Sequence, residues 1–372
     1  MINITDKSQC CGCSACVQKC PKKCITMNVD NEGFSYPKVD LDCCIDCRLC
    51  EKVCPCLNQE ESQQPLSCYA AKNKDEEIRK QSSSGGIFTA LAEKVLTDKG
   101  VVFGACFDKN WQVIHTCIEK KQDIAILRGS KYVQSQIGET FKQTESFLKE
   151  GRIVLYSGTS CQISGLNHYL RKQYDNLLTV EVVCHGVPSP KIWKEYLNTL
   201  NIVEIGSISH KDKSTGWRGY SFTIKDASDK VVFTERAGKN KYMMAFIRNL
   251  TLRPSCFSCP AKAGKSKADI TLADYWGIEN IIPKMDDNKG TSFICGNTQK
   301  GEMYIKELNI QLEQVDYQNS IQYNTCIFKS TIEPIDRQKF WSGYKKRGIK
   351  VLLLLKRQKS NIIKRIIKRL LK

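Results

Sequence analysis

Acidic residues run out at Asp336: the remaining 36 positions hold fourteen of the 57 Lys and Arg residues and not one Asp or Glu. The excess charge of +18 is therefore a terminal property, because residues 1–336 carry 43 basic against 39 acidic groups, a net of +4. A nucleic-acid groove written into the folded body is not supported by that balance. Long apolar runs are also missing near this end; Val351–Leu355 is far shorter than the roughly 20 residues that span a bilayer. The polar opening Met-Ile-Asn-Ile-Thr-Asp-Lys has no apolar core of a signal peptide. The expectation is a cytoplasmic, reducing setting and no disulfide framework.

Cysteine, by contrast, is abundant: 21 residues, twelve of them within the first 56. Cys10, Cys13, Cys16 and Cys20 precede Pro21, and Cys44, Cys47, Cys50 and Cys54 precede Pro55, so C-x2-C-x2-C-x3-C-P occurs twice. That spacing wraps thiolates around cubane [4Fe-4S] clusters, and its duplication marks a two-cluster ferredoxin domain of α+β type. Three closely spaced cysteines occupy three corners of one cube, while the fourth, at its proline turn, reaches the other. The expected sets are Cys10, Cys13, Cys16 with Cys54, and Cys44, Cys47, Cys50 with Cys20. Zinc is the competing ligand, but it favours pairs of cysteines at two places in a chain. Electron transfer is the implied chemistry. Cys11, Cys24, Cys43, Cys56 and Cys68 fall outside the spacing and are expected to be bystanders.

The polar stretch Asn58 to Pro65 divides this module, residues 1–62, from a larger body at 66–336. Ile87, Leu91 and Val95 predict a helix from about Gly86 to Asp98, followed by strands at Val101–Phe107 and Gln112–Ile118. Helices are expected at Phe141–Leu148, Ile163–Leu170 and Ser189–Leu200, the last with a serine cap and proline start. Strands are expected at Arg152–Tyr156 and Leu177–Val183. Shorter runs at Ile202–His210, Tyr220–Lys225 and Lys230–Glu235 suggest antiparallel strands, so the class is α/β with a mixed sheet.

Several polar loops then fall at strand ends, where such sheets bind ligands. Ser82-Ser83-Ser84-Gly85-Gly86 opens a helix and suits phosphate, although its composition also fits a linker. Gly158-Thr159-Ser160-Cys161 has the same strand–turn–helix form. Arg128-Gly129-Ser130-Lys131-Tyr132 offers cations and an aromatic ring for a phosphate and an isoalloxazine or adenine, against the plainer reading of a solvated face. Cys161 and Cys184 close two successive strands, and Cys256 and Cys259 form a C-x2-C pair; together they allow a third cubane. Cys106, Cys117, Cys295 and Cys326 lie in apolar, strand-like runs and are expected to be buried core thiols. His185 is the one candidate proton donor, with a structural histidine as the alternative.

The segments SSSGGIFTAL, GSKYVQS, VLYSGTSCQISGL, VCHGVPSP, GWRGYSF, LRPSCFSC and ADITLADYWGI resemble the coenzyme F420 hydrogenase/dehydrogenase beta-subunit family, in the branch carrying an N-terminal ferredoxin domain. The resemblance implies an oxidoreductase whose body binds FAD and an iron–sulfur cluster and exchanges electrons with a redox partner protein, a small-molecule acceptor or the deazaflavin F420. It implies FAD phosphates near Ser84, Gly85 and Gly86 and cluster thiolates at Cys161, Cys184, Cys256 and Cys259; the polar loops add Lys131 and Thr159 as expected cofactor contacts. The chain departs from the family pattern at Ser160, where proline commonly precedes the cysteine, at Ala263-Gly264, and at Ala273, where glycine is usual. Two rival readings are an electron-transfer adaptor without a substrate of its own and a membrane-surface scaffold with structural clusters.

Residues 337–372 read as a basic tail. On a helix, Ile362, Ile363, Ile366, Ile367, Leu370 and Leu371 share one face, and Lys364, Arg365, Lys368, Arg369 and Lys372 the other. Peripheral attachment to an anionic membrane, on the inner face, is the expectation, with packing against the body or a partner as the alternative.

Overall fold

The computed structural model describes residues 1–356. Thirteen strands are found among them: β1 (Ile25–Val29), β2 (Ser35–Val39), β3 (Ser67–Asn73), β4 (Val101–Phe107), β5 (Val113–Ile118), β6 (Val154–Thr159), β7 (Leu177–Val182), β8 (Ser207–Asp212), β9 (Ser221–Lys225), β10 (Val231–Arg236), β11 (Ile270–Asp274), β12 (Ser292–Gly296) and β13 (Ile310–Gln314). β1 and β2 form an antiparallel ribbon inside the cysteine-rich module. Eight strands make the central sheet in the order β13-β3-β12-β11-β7-β6-β4-β5. β4, β6, β7 and β11 are parallel, and both flanks are antiparallel, which is the mixed sheet the sequence predicts.

The parallel strands are covered on both faces, so most of their side chains are apolar. Alternation sorts those side chains. Val102 and Leu155 pack with Ile87, Leu91 and Val95 of the helix Ile87–Thr97, whereas Phe103, Val154 and Tyr156 meet Ile163 and Leu166 of the helix Ser160–Leu170. Each such buried side chain stabilises the fold by about 1.5–3 kcal/mol. β8, β9 and β10 form a separate antiparallel sheet over an aromatic core of Trp193, Tyr196, Phe222 and Tyr242. Ser189 caps the helix Pro190–Thr199, its Oγ accepting from Ile192 N.

The ferredoxin-like module is bolted to the body. Gln18 Oε1 accepts from Phe141 N and Lys142 N at 3.1 and 3.2 Å, Ser189 Oγ donates to Glu32 O, and Arg337 pairs with the Glu32 carboxylate.

Three expectations need correction. The run Ile202–His210 becomes strand only at Ser207; Val203 is fully exposed, because no neighbouring strand covers this turn. Cys326 is not a buried strand thiol but half-buried in the turn Thr325–Ile327, and Cys117, although on β5, is only half-buried. Residues 337–355 do not leave the body as a tail. The helix Arg337–Arg347 and the 3-10 turns Gly348–Leu354 bury Phe340, Val351, Leu352 and Leu355 in the aromatic core, and Arg337 also donates to Leu252 O. The amphipathic segment expected at 362–372 lies outside the described residues.

Candidate functional site: a cleft and three sets of thiols

A cleft of about 510 Å³ opens at the C-terminal ends of β4, β6, β7 and β11. Such ends are the usual ligand side of an α/β sheet, because the following loops and helix N-termini converge there. One side is the Ser82–Gly86 turn. Gly86 takes φ +83° and starts the helix Ile87–Thr97, whose first-turn N–H groups have no partner within the helix. The turn is tied down from behind: Lys213 Nζ donates to Arg79 O, Ser84 O and Lys289 O at 2.5, 2.9 and 2.7 Å, and Ser130 N donates to Ser83 Oγ at 2.7 Å. Ser84 and Gly86 line the cleft. Gly85 does not: its N–H bonds Ser292 Oγ, and a Cβ there would sit 2.4 Å from Ala71 O.

Lys131 and Arg128 also line the cleft. Lys131 Nζ bonds only the carbonyls of Ile126 and Arg128, both at 3.0 Å, and burial draws its ammonium down to about 7. Arg128 bonds Thr89 Oγ1 and Gln81 Oε1. Neither cation has a carboxylate partner among the described residues, so the turn, helix start and cations fit an anionic ligand.

The floor holds a chain of hydrogen bonds that sequence patterns do not reveal. Thr159 N donates to Gln162 Oε1 (2.9 Å), Gln162 Nε2 to Ser135 Oγ (2.8 Å), Ser135 Oγ to His115 Nδ1 (2.9 Å), and His115 Nε2 to Ser157 O (3.1 Å). The last acceptor is a carbonyl, which fixes the tautomer along the whole chain. Burial lowers His115 to about 4, so it stays neutral. Tyr220, Asp274 and Trp276 complete the far wall, where Lys211 Nζ meets Asp274 at 2.5 Å and lies 4.9 Å from the Trp276 ring centroid.

A second, small cavity is lined by Cys161, Cys184, Cys256 and Cys259, the four body cysteines singled out by their strand-end and C-x2-C positions. It shares Thr159 and the segment Cys184–Val187 with the cleft. Burial pushes Cys184 and Cys259 up to about 12, so an incoming metal must displace their protons. His185 stands in the shared wall, its Nε2 donating to Asn249 Oδ1 at 2.6 Å and its Nδ1 facing Cys326 Sγ at 3.6 Å. Burial lowers its pKa.

Cys11, expected to be a bystander, lines this cavity beside Cys161 as well. Extended backbone at Cys10 and the left-handed Gly12 turn Cys11 away from its neighbours and toward the body. On the other side, Cys10, Cys13, Cys16 and Cys54 are mutual electrostatic neighbours. Cys56, also expected to be a bystander, is half-buried against the body core. Cys20, Cys44, Cys47 and Cys50 line a third cavity with Cys24, whose Sγ is 3.4 Å from Cys20 Sγ. Cys43 and Cys47 are exposed. Among the described residues no three His, Cys, Asp or Glu side chains close in on a single metal ion. All-thiol sets arranged around cavities suit a cluster, whose ligands stand farther apart.

Two models of one family, coenzyme F420 hydrogenase/dehydrogenase, beta subunit, match the body in order: the N-terminal model over residues 68–142 and the C-terminal model over residues 151–318. The chain belongs to the coenzyme F420 hydrogenase/dehydrogenase beta-subunit family. A 65-residue stretch is 35% identical to "Ferredoxin 7Fe" of Hydrogenibacillus schlegelii, covering 17% of this chain and 77% of that protein. Among solved structures, a chain of the F420-reducing [NiFe] hydrogenase complex from Methanosarcina barkeri, studied by xenon derivatization, is 18% identical, with a TM-score of 0.49 over 77% of this chain and 95% of that one. Family and ferredoxin likeness together make this an iron–sulfur protein of redox function. Among the described residues no helix is long and apolar enough to cross a membrane.

Proposed function

We infer that the chain is an iron–sulfur flavoprotein oxidoreductase that passes electrons between ferredoxin-type clusters, a flavin in the cleft and a small-molecule or deazaflavin acceptor. Cys10, Cys13, Cys16 and Cys54 would hold one [4Fe-4S] cluster, Cys44, Cys47, Cys50 and Cys20 a second, and Cys161, Cys184, Cys256 and Cys259 a third. The observation that carries the reading is the shared wall: Cys184–Val187 borders both the cleft and the body thiols, while Cys11 joins those thiols to the N-terminal set. A bound FAD would supply conversion between the single electrons of cubanes and a two-electron hydride.

The chain's own groups divide the remaining work. The Ser82–Gly86 turn and the start of the helix Ile87–Thr97 would bind the cofactor's phosphates, with Lys131 and Arg128 neutralising them. Thr159, held by Gln162, keeps the floor in place, and neutral His115 adds no charge to it. His185 is engaged on both ring nitrogens, which supports a wall residue more than a proton donor. The exposed Cys43–Cys47 end of the module is where a redox partner protein would exchange electrons, and this favours, as a second reading, an adaptor that serves a separate enzyme.

Protein purified without oxygen should hold about twelve iron atoms, four per cubane, and one flavin. Cys256→Ser with Cys259→Ser should remove about four irons and leave the N-terminal clusters. Iron-free protein with stoichiometric zinc would end the electron-transfer reading; undiminished iron in the double variant would end the third site.

A further inference from the structure

We propose that Arg253 is the charge coupling two of the thiol sets: a buried guanidinium between the Cys10–Cys13 loop and the Cys161, Cys184, Cys256, Cys259 cavity that sets how readily the clusters on its two sides are reduced. The inference rests on the reading that those thiols hold clusters.

Arg253 is 1% exposed and lines the body cavity. Its fork reaches across to the N-terminal module: Nε donates to Cys10 O at 2.7 Å, Nη2 to Ser35 O at 2.9 Å and toward Cys10 Sγ at 3.5 Å, and Nη1 to Gln134 Oε1 at 3.1 Å. The guanidinium carbon lies 4.3 Å from the Tyr36 ring centroid. Gly12 makes this approach possible. It has φ +73°, and a Cβ there would stand 2.9 Å from Arg253 Nη1 and 2.8 Å from Gln134 Nε2.

The missing partner is the telling part. Two other buried arginines have carboxylates, Arg79 with Asp287 and Arg337 with Glu32, whereas Arg253 has none among the described residues. A buried cation without an anion is strongly unfavourable, so the arrangement calls for negative charge nearby. Thiols stand on both sides of it: Cys10 Sγ is 3.5 Å from Nη2, and Cys11 and Cys256 line the same cavity as the guanidinium. A cubane with four thiolates carries a net charge of about −2 when oxidised and one more negative charge when reduced. A fixed cation therefore favours the reduced state, as does a hydrogen bond to a ligand sulfur. One electron crosses between the two clusters, one being oxidised and the other reduced, with no bond or proton changed.

A strut would need only the hydrogen bonds; a coupling charge moves potentials. The test is an EPR-monitored redox titration of the full chain, purified anaerobically, as wild type, R253M, R253Q and R253K. In the neutral variants the midpoints assigned to the Cys10 set and the body set should fall, while that of the Cys20, Cys44, Cys47, Cys50 set stays. R253K should lower the Cys10-set midpoint by less. A neutral variant with wild-type iron and unmoved midpoints overturns the proposal. If both neutral variants lose iron, R253K decides: Cys10-set and body-set midpoints close to wild type support the coupling charge, and a large fall with the charge retained overturns it. Failure of the underlying reading is separate, because wild type would then lack the cluster signals before any substitution is made.

Discussion

Gly165 lies directly against Cys13: a Cβ on the glycine would come within 2.7 Å of the Cys13 Cβ and 2.9 Å of its Sγ. The helix Ser160–Leu170, which starts at the cleft, thus touches a thiol of the N-terminal module through bare backbone. On an exposed helix Gly→Ala gains about 1 kcal/mol. Here the added methyl must push the cysteine loop away, and overlap of this kind costs about 1–3 kcal/mol. Gly165→Ala should lower the melting temperature and weaken the signal of one N-terminal cluster while sparing the other. A variant with a higher melting temperature and both signals intact would show that the module is not held by this contact.

Much of this arrangement is readable in the chain, and the part that is not has a common cause. The strand Val101–Phe107 announces itself by a run without a polar side chain, Leu177–Val182 by four apolar residues around Thr179 and Glu181, and the duplicated cysteine spacing by its local ligand geometry. β11 and β12 supply two central strands yet lack such a signal, because Thr271, Asp274 and Ser292 interrupt their apolar pattern for partners far away in sequence. Thr271 Oγ1 bonds Glu181, and Asp274 pairs with Lys211. Cys11 and Cys56 pass for bystanders for the same reason. Spacing shows which thiols one loop can aim at one cube, not which thiol faces another domain. Arg253 and Gly12 are separated by 241 positions, and only the docked module gives either a role.

Gly85 provides a sharp case for mutation. Its missing side chain leaves room for the edge of the sheet rather than for a ligand, since a Cβ would meet Ala71 O at 2.4 Å and Ser292 N at 2.8 Å. Neither backbone atom can yield without breaking the β3–β12 ladder. Gly85→Val should lift the Ser82–Gly86 turn, reduce flavin content by about tenfold or more through the displaced binding loop, and leave total iron unchanged. Full flavin retention in a stable variant would mean that the turn does not hold the cofactor.

Lys131 makes binding in the cleft depend on pH. Burial brings its folded pKa to about 7, while the unfolded chain keeps the ordinary lysine value near 10.5. Below about 7 it is charged in both states, and the folded protein bears the burial cost; between 7 and 10.5 the unfolded state binds more protons, so this group makes stability rise with pH. An anion beside Lys131 reverses that preference by favouring the proton. Affinity of flavin-stripped protein for FAD should therefore fall between about pH 6.5 and 9, by at most about tenfold per pH unit. Lys213, also drawn down to about 7, contributes to the same slope, so the decisive comparison is Lys131→Met. That variant should bind more weakly at about pH 6.5 and show a flatter profile; an identical profile would remove Lys131 from the site.

The C-terminal segment is best tested with a cut chosen from the packing. Truncation after Asp336 would delete Phe340, Val351, Leu352 and Leu355 from the aromatic core along with the Arg337–Glu32 pair, and the loss of fold would mask any loss of membrane binding. Ending the chain after Lys356 spares those contacts. It still removes seven cations, Arg357, Lys359, Lys364, Arg365, Lys368, Arg369 and Lys372, and the six Ile and Leu residues that a helix would place opposite most of them. Near an anionic bilayer each cation contributes about 1 kcal/mol, screened by salt, so the segment is worth several kcal/mol at low ionic strength. The full chain should co-sediment with phosphatidylserine-containing vesicles and release as salt is added, whereas the shortened chain should stay in the supernatant with iron and flavin intact. Equal partitioning of the two at low salt would leave the basic segment without a membrane role and point to a protein partner for its apolar face.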